Sequence, residues 1–378
     1  MIIQGFKTSA VAAGIKPDGA LDLALIWSET PAIAAAVFTQ NAFAAAPLLV
    51  SKKHLQETDH RARALLVNSG NANAATGEAG MRAAEQCAEW LAGEIGCEPK
   101  EILVCSTGVI GRRLPVDRIR NAIPGLVSRL LPTNLELLAR GIMTTDTVPK
   151  IAVAEAGGVR IAGVAKGAGM IHPDMATMLS FVMTDAALPH AELDRALRYA
   201  VHRSFNSISV DGDTSTNDMV VVLANGASAV RPQLSEFQQT LLQVCTELAT
   251  AIVRDGEGAS KFVELTIEGA PSDEAARTIG RTIARSPLVK TAIYGADPNW
   301  GRIVGAVGNS GVVLNSDRVD IYIQGVPISD ATLENARQRL RAREIEIRVV
   351  LHSGSGSARV WMCDLTEEYI RINADYTT

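Results

Sequence analysis

The middle of the chain carries the stretch Lys166-Gly-Ala-Gly-Met-Ile-His-Pro-Asp-Met-Ala-Thr177-Met-Leu-Ser180. Apolar residues alternate just before it, at 159–165, and a short apolar run begins directly after Thr177 and extends over 178–183. Alternation with a period of two is typical of a strand with one buried face, and a short apolar run is typical of a buried strand. We therefore expect a glycine-rich loop between two strands, with Ala176-Thr177 at its end.

The rest of the 378-residue chain mixes helices and strands irregularly. Apolar spacing of three and four residues predicts helices that end at Gly96 and near Arg254. Buried strands are predicted at 64–68, 101–105 and 219–224. Many further strands alternate, which favours an α+β layered fold over a purely parallel, doubly wound sheet. The length predicts two domains or two interlocked lobes.

Composition excludes several classes of function. The net charge is −5 with no basic block, and aromatic residues make up only 4% of the chain, so no nucleic-acid partner is expected. The five cysteines show no C-x-x-C spacing, which argues against disulfides and against a zinc site. No signal peptide and no apolar run of about 20 residues is present, so we expect a soluble cytoplasmic protein without a membrane span.

Thr177 has the chemistry of a nucleophile that its own chain releases. A threonine whose α-amine is freed by cleavage carries a base on the same residue, with a reference pKa of roughly 7.7–8. Ala176 is small enough to allow attack of the threonine hydroxyl on its carbonyl, and Thr107-Gly108, on a tight turn after a strand, is a plausible source of oxyanion donors. The residue types alone favour a plain loop before a buried strand over a cleavage site, because short motifs often match by chance.

Three other candidates carry weaker signals. An isolated histidine before proline, His172, is expected to be structural rather than a catalytic base. The loop with Asp211, Asp213 and Asp218 lacks the glycine and glutamate of a calcium loop, so backbone capping is expected there. The Gly354-Ser-Gly356 segment lacks the third glycine of a dinucleotide loop.

Eight ordered segments resemble the ornithine acetyltransferase (glutamate N-acetyltransferase) family of arginine biosynthesis, whose members cleave themselves before the threonine of an M-A-T-M-L segment. Besides that segment, the similar stretches are Val37-Phe-Thr-Gln-Asn41, Asn68-Ser-Gly-Asn-Ala-Asn-Ala74, Ser106-Thr-Gly-Val-Ile-Gly111, Ile142-Met-Thr-Thr-Asp-Thr147, Ser209-Val-Asp-Gly-Asp-Thr-Ser-Thr-Asn-Asp218, Arg254-Asp-Gly-Glu-Gly-Ala-Ser-Lys261, Gly295-Ala-Asp-Pro-Asn-Trp-Gly-Arg302 and Asn373-Ala-Asp-Tyr-Thr-Thr378. They span nearly the whole chain.

The resemblance implies specific roles for individual residues. Cleavage at Ala176-Thr177 would give an α chain, 1–176, and a β chain, 177–378, with a lobe boundary that need not coincide with the cut. Thr177 would be the nucleophile, and Thr107 with Gly108 would form the oxyanion hole. The substrate-binding residues would be Thr144, Lys166, Thr177, Glu257, Asn373 and Thr378. Register alone leaves open whether Thr144 or Thr145 contacts the substrate.

The reaction implied by the resemblance is a ping-pong transfer of acetyl from N2-acetylornithine to glutamate, with acetyl-CoA as a conceivable second donor. The implied fold is an α/β/β/α arrangement resembling N-terminal-nucleophile hydrolases but wired differently. The implied assembly contains two α and two β chains, with no metal or cofactor. Two other classes stay open: an amidase or aminopeptidase that uses water as acceptor, and a binding protein without catalysis.

Overall fold

A computed structural model describes residues 2–172, 178–315, 318–329 and 331–375. The strands are β1 (Phe6–Val11), β2 (Leu23–Phe38), β3 (Arg61–Asn71), β4 (Ile102–Val109), β5 (Leu131–Pro132), β6 (Lys150–Ala156), β7 (Val159–Lys166), β8 (Leu179–Thr184), β9 (Ile208–Ser209), β10 (Met219–Ala224), β11 (Phe262–Ala270), β12 (Asp320–Ile323), β13 (Val326–Pro327), β14 (Glu344–Val350) and β15 (Gly356–Cys363). The α-helices are α1 (Ala46–Glu57), α2 (Gly77–Ile95), α3 (Val116–Ser128), α4 (Leu135–Ile142), α5 (His190–Arg203), α6 (Leu234–Arg254), α7 (Asp273–Ala284), α8 (Pro287–Tyr294), α9 (Trp300–Gly308), α10 (Leu333–Arg339) and α11 (Glu367–Asp375).

The larger sheet is organised around one long strand, β2. Its first half, at 23–27, pairs with β1 and β3, and its second half, at 33–38, pairs antiparallel with β10. Between the halves the register with β3 shifts, from Trp27 to Ala32. Such irregularities bend a strand and increase its twist. The sheet order β4-β3-β2-β10-β8-β7-β6 therefore folds into two facing layers that share β2.

The two layers bury an apolar core between them and carry helices on their outer faces. Alternate residues of β10 show the division, because Val221 packs in the inner core with Ile26 and Leu65, whereas Val220 packs outward with α5 and α6. Helices α2 and α3 cover the outer face of β2, β3 and β4, including Leu66. This arrangement is α/β/β/α, as the resemblance implied, and the predicted α+β class is confirmed.

A second, smaller lobe follows α6. Its sheet has the strand order β13-β12-β14-β11-β15-β9, and α7, α8 and α9 pack on one face over a separate apolar core. Two features join the lobes. Strand β9, which precedes β10 in the chain, pairs parallel with β15, and Phe262 and Trp361 pack into the cluster under α6.

The bond predicted to be cleaved lies in the chain between two strands of the larger sheet. Strands β7 and β8 pair antiparallel, with Lys166 opposite Leu179. Ala176 and Thr177 themselves lie outside the described residues. Strand β8 is the first element of the proposed β chain, and it lies between β7 and β10 within the first lobe.

Most predicted elements are present, and several others were not anticipated. The helix before Gly96 is α2, with Gly96 in the left-handed conformation, and the strand predicted at 219–224 is β10. Periodicity in the sequence did not predict β1, β2, β6, α1, most of α3, or α7, α8 and α9, and it left the C-terminal tail without a helix. All five cysteines are free. Among the described residues no helix is both long enough and apolar enough to cross a membrane.

Leu248 tests the packing of α6 on the larger sheet. Its side chain is fully buried and covers Gly163 of β7, where a Cβ atom would lie only 2.9 Å from Leu248 Cδ1. We expect Leu248→Ala to lower the free energy of unfolding by about 2–5 kcal/mol, because it leaves a cavity. Urea denaturation measures this, with exposed Gln239→Ala on the same helix as control, expected within about 0.5 kcal/mol of wild type. Equal losses in the two variants would contradict this packing.

Candidate active site

A cavity of about 340 Å³ opens where the ends of several central strands meet. It lies at the end of β4 and β7 and at the start of β8 and β10. Its lining residues are Thr107, Gly108, Ile110, Thr144, Thr145, Lys166, Gly169, Met170, Ile171, Met178, Leu179, Ser215, Asn217, Asp218, Glu257 and Asn373. Charged and hydroxyl groups dominate one part of this wall, so the cavity suits a small polar molecule.

The structure brings together the six predicted site residues that it describes. They come from five separate segments of the chain and all line this one cavity: Thr107, Gly108, Thr144, Lys166, Glu257 and Asn373. Thr145 lines it as well, so the structure does not choose between the two threonines. Ala176, Thr177 and Thr378 lie outside the described residues, although Met178, the next residue after Thr177, is part of the wall.

The prediction that Thr107 and Gly108 lie on a turn after a strand is wrong, because both belong to the last residues of β4 and pair with β3. Their position depends on a close approach between two backbones. Gly108 has a φ of 129°, and a Cβ atom there would lie 2.4 Å from the carbonyl carbon of Gly70. Only glycine allows β3 and β4 to come this close at their ends. The side chain of Asn217 donates to the Ser106 carbonyl at 2.8 Å and to the Ala72 carbonyl at 2.6 Å, which fixes the end of β4 against the start of β10.

Lys166 contacts the end of β4 with its ammonium group. Its Nζ donates to Thr107 Oγ1 at 3.3 Å. Because the threonine oxygen accepts this bond, its own O–H stays free to donate elsewhere, as an oxyanion donor must. Burial lowers the pKa of Lys166, and the carboxylate of Asp146 is the strongest charge acting in the opposite direction.

A buried ion network stands behind this wall. Lys150 Nζ lies 2.7 Å from Asp146 Oδ1 and 2.6 Å from Asp255 Oδ2, with all three side chains nearly inaccessible. Asp146 also accepts from the backbone N–H of Gly167 at 2.6 Å and of Thr144 at 3.0 Å. Burial would raise the pKa of Asp146, but the charges of Lys166 and Lys150 and the Gly167 N–H lower it to about 2.

Glu257 is held against the glycine-rich loop. Its backbone N–H donates to the Ala168 carbonyl at 2.9 Å, and a Cβ atom at Gly169 would lie 2.4 Å from Glu257 Oε2. The side-chain amide of Asn373, on α11, donates to the same carboxylate oxygen at 2.9 Å. The loop, the end of α6 and the C-terminal helix therefore meet at one carboxylate.

The C-terminal helix α11, which carries Asn373, is docked against the site rather than frayed. Its Tyr369 backbone packs on Gly258, where a Cβ atom would lie 2.4 Å from Tyr369 N. The Tyr369 hydroxyl bonds to Asp211 Oδ2 at 3.3 Å. Asp211 in turn accepts from the backbone N–H groups of Met170 and Ile171, at 2.6 and 2.9 Å, so it has the capping role expected for it.

Asp218 is a site residue that sequence reasoning missed. It is 2% exposed and lines the cavity, and its Oδ2 has no hydrogen-bond partner among the described residues. Burial raises the pKa of Asp218 well above the usual range, against the opposing effects of Lys166 and of hydrogen bonds from Ser215. Its position in a loop rich in Asp, Ser and Thr concealed it, because such loops usually only cap backbone.

His172 has the structural role expected for it. Its Nδ1 lies 3.0 Å from Ser209 Oγ, and its pKa is lowered to about 3 by burial and by the charges of Arg281 and Arg285. It stays neutral at physiological pH. Across the described part of the chain, no three His, Cys, Asp or Glu side chains are grouped as a metal site.

The four-layered core, and a polar cavity lined by both a cationic and an anionic side chain, are those of an α+β enzyme acting on a small charged molecule. The chain belongs to the ArgJ family, whose family model matches residues 7–378. The resemblance found in the sequence motifs is thus confirmed, and the chain is a transferase of arginine biosynthesis.

Individual relatives match over their full lengths. The arginine biosynthesis bifunctional protein ArgJ of Geobacter sulfurreducens is 49% identical over 396 residues, covering 100% of both chains. The protein of that name from Thermus thermophilus is 48% identical over 380 residues, covering 99% of this chain and 98% of its own. A solved ArgJ structure from Bacillus halodurans covers 52% of this chain and 98% of its own, with 45% identity and a TM-score of 0.49.

Gly108→Ala tests the close approach of β3 and β4 at the cavity. We expect it to destabilise the fold by about 1–3 kcal/mol more than Gly111→Ala, as overpacking does. Gly111 also has a positive φ, 81°, but open space where its Cβ would lie, so this control carries the backbone strain without the clash. Denaturant unfolding of both variants gives the difference. Equal stabilities would show that the two strand ends can separate without cost.

Proposed function

We propose that this chain transfers an acetyl group from N2-acetylornithine to glutamate, after cutting itself between Ala176 and Thr177. The observation that carries the proposal is the convergence of Thr107, Gly108 and Lys166 with three further predicted residues on one cavity. Met178 lies on the same wall, one covalent step from the predicted nucleophile. Family membership supports the reaction, and the geometry supports these residues as its site.

The first half-reaction forms an acetyl ester on Thr177. Its hydroxyl oxygen attacks the acetyl carbonyl while its freed α-amine takes the hydroxyl proton. The Thr107 hydroxyl and the Gly108 backbone N–H stabilise the oxyanion that develops. The C–N bond then breaks, the proton passes to the leaving nitrogen, and ornithine departs.

The second half-reaction reverses these steps with a different amine. The neutral α-amine of glutamate attacks the ester carbonyl, and its proton passes to the Thr177 amine. The C–O bond to Thr177 then breaks, and the amine returns the proton to the departing Thr177 oxygen. Lys166 holds the α-carboxylate of either substrate, as a compact cation can. Glu257, with Asn373, faces the ammonium of ornithine or of its acetylated form. Thr144 or Thr145, together with Thr378, completes the site.

Assembly and compartment belong to the same proposal. We expect the α chain, 1–176, and the β chain, 177–378, to remain associated, with two copies of each in the cytoplasmic enzyme and no metal or cofactor required. Pairing between β7 and β8, and between β2 and β10, supports stable association, because each pair joins one chain to the other. No disulfide links them among the five free cysteines.

The choice of acceptor separates a transferase from a hydrolase. We expect release of ornithine from N2-acetylornithine to require glutamate, because transfer demands that water be kept from the acetyl ester. The measurement follows ornithine and N-acetylglutamate together, with and without glutamate. A parallel series with acetyl-CoA shows whether the enzyme accepts a second donor. Ornithine release that is equally fast without glutamate would favour the amidase alternative.

Self-cleavage is tested by the intact mass of the purified protein. Wild type should give two chains, 1–176 and 177–378, whereas Thr177→Ala should give one uncleaved, inactive chain because it lacks the attacking hydroxyl. Thr177→Ser keeps a hydroxyl and is the matched control, expected to cleave. Cleavage of Thr177→Ala at the same bond would point to an external protease instead.

A further inference from the structure

We propose that Asp146, which does not line the cavity, is a positioning residue that keeps Lys166 cationic and aligned with Thr144. The inference rests on the proposed function, which assigns the substrate carboxylate to Lys166. It adds Asp146, which lies outside the cavity, to the set of residues on which substrate binding depends. Three observations carry it: the hydrogen bonds of Asp146, the charge balance of its ion network, and the surroundings of Lys166.

The two oxygens of Asp146 hold two different segments of the wall. Oδ1 accepts from the backbone N–H of Gly167, the residue after Lys166, at 2.6 Å. Oδ2 accepts from the backbone N–H of Thr144 at 3.0 Å. One rigid carboxylate therefore fixes the spacing between the strand end that carries Lys166 and the loop that carries Thr144. Hydrogen bonds to a charged acceptor are also stronger than neutral ones.

The ion network behind the wall is not electrically balanced by itself. Lys150 is shared by two carboxylates, Asp146 and Asp255, so the three side chains together carry one net negative charge. Lys166, which lines the cavity, is a second cation near Asp146: its charge lowers the pKa of Asp146, and the charge of Asp146 raises the pKa of Lys166. With Lys166 protonated, two lysines balance two aspartates. Buried charges are tolerated when they are paired in this way.

Other charges near Lys166 do not replace Asp146. The titratable groups around it are Lys16, the thiol of Cys105, Asp146, Lys150, Asp218 and Glu257. The two lysines oppose its charge, and the Cys105 thiol stays neutral because burial raises its pKa. Asp218 and Glu257 line the cavity itself, so a bound ammonium or carboxylate alters their effect. Asp146 acts from outside the cavity and is the carboxylate whose influence persists through both half-reactions.

The direction of the pH effect follows from these signs. Lys166 binds a carboxylate only when protonated, so affinity is lost as pH rises through the pKa of Lys166, which burial already lowers. The charge of Asp146 raises that pKa. Asp146→Asn removes the charge, and the loss of affinity moves to lower pH. An adjacent opposite charge typically shifts a pKa by about one unit or more.

The experiment compares Asp146→Asn with Asp255→Asn. Each variant removes one carboxylate from Lys150 and leaves the other, so Lys150 stays paired in both. Asp255 also accepts from the backbone N–H of Thr147, at 3.0 Å, and is therefore a matched structural control. For each protein, kcat/KM for N2-acetylornithine is measured against pH. The inhibition constant of N-acetylputrescine, which has the same acetyl amide and ammonium but no carboxylate, is measured beside it.

We expect the high-pH limb of kcat/KM to move down by about one pH unit in Asp146→Asn and to stay in place in Asp255→Asn. The inhibition constant of N-acetylputrescine should keep its wild-type pH dependence in both. An unmoved limb in Asp146→Asn, an equal shift in Asp255→Asn, or a parallel shift for N-acetylputrescine would each overturn the proposal. If Asp146→Asn does not fold, Asp146→Ser replaces it, because its hydroxyl can still accept from Gly167.

Failure of the proposed function looks different. If the wild-type enzyme moves no acetyl group from N2-acetylornithine to glutamate at any pH, the assigned reaction is wrong. If wild type is active and the Asp146 variants show the same pH dependence of kcat/KM as Asp255→Asn, the assigned reaction stands. In that case Asp146 stabilises the site only through its hydrogen bonds and does not influence the charge of Lys166.

Discussion

The long strand β2 is the constraint on which the rest of the structure depends. One half of it belongs to each layer of the larger sheet, so the two layers cannot separate without breaking a continuous strand. The bend between Trp27 and Ala32 turns their apolar faces toward each other and creates the inner core. The same bend brings the end of β4, in one layer, beside the end of β7 and the start of β10, in the other. The cavity forms at this meeting of the two layers.

Electrostatics then determines what the cavity can hold. Among the described residues its wall carries the ammonium group of Lys166, the carboxylate of Glu257 and the carboxyl group of Asp218, whose pKa burial raises, beside hydroxyl groups. Such a wall suits molecules with both an ammonium and a carboxylate, which describes ornithine, glutamate and the acetylated donor. Burial disfavours the charge of Lys166, and Asp146, a member of the ion network around Lys150, supplies an opposite charge.

The sequence predicts regular elements better than the connections between them. Helix α2 ends at Gly96 and β10 covers 219–224 because local signals there agree with the final structure. Strand β2 was missed because Pro31 stands near its middle, and proline argues against a central strand unless a bulge accommodates it. Here the register shift before Ala32 provides that irregularity.

The site was predictable only where a family motif marks a residue. Thr107, Lys166 and Glu257 were expected together because eight motifs occur in order, and the structure places them on one cavity. Asp146 and Asp218 carry no local signal, since their importance comes from burial and from partners distant in the chain. No periodicity in the sequence reports that Asp146 accepts hydrogen bonds from both Thr144 and Gly167.

The position of the proposed cut follows from the same architecture. A break in the loop between β7 and β8 leaves every described strand pair intact, since β7 pairs with β6 and β8 while β8 pairs with β10. Each fragment alone would have an open sheet edge and an uncovered apolar core, so dissociation is strongly disfavoured. The proposed cleavage between β7 and β8 would create a new amine one residue before Met178, which lines the cavity, while the folded core stays closed. A cut within β2 would instead separate the two layers, and the cavity between their strand ends would be lost.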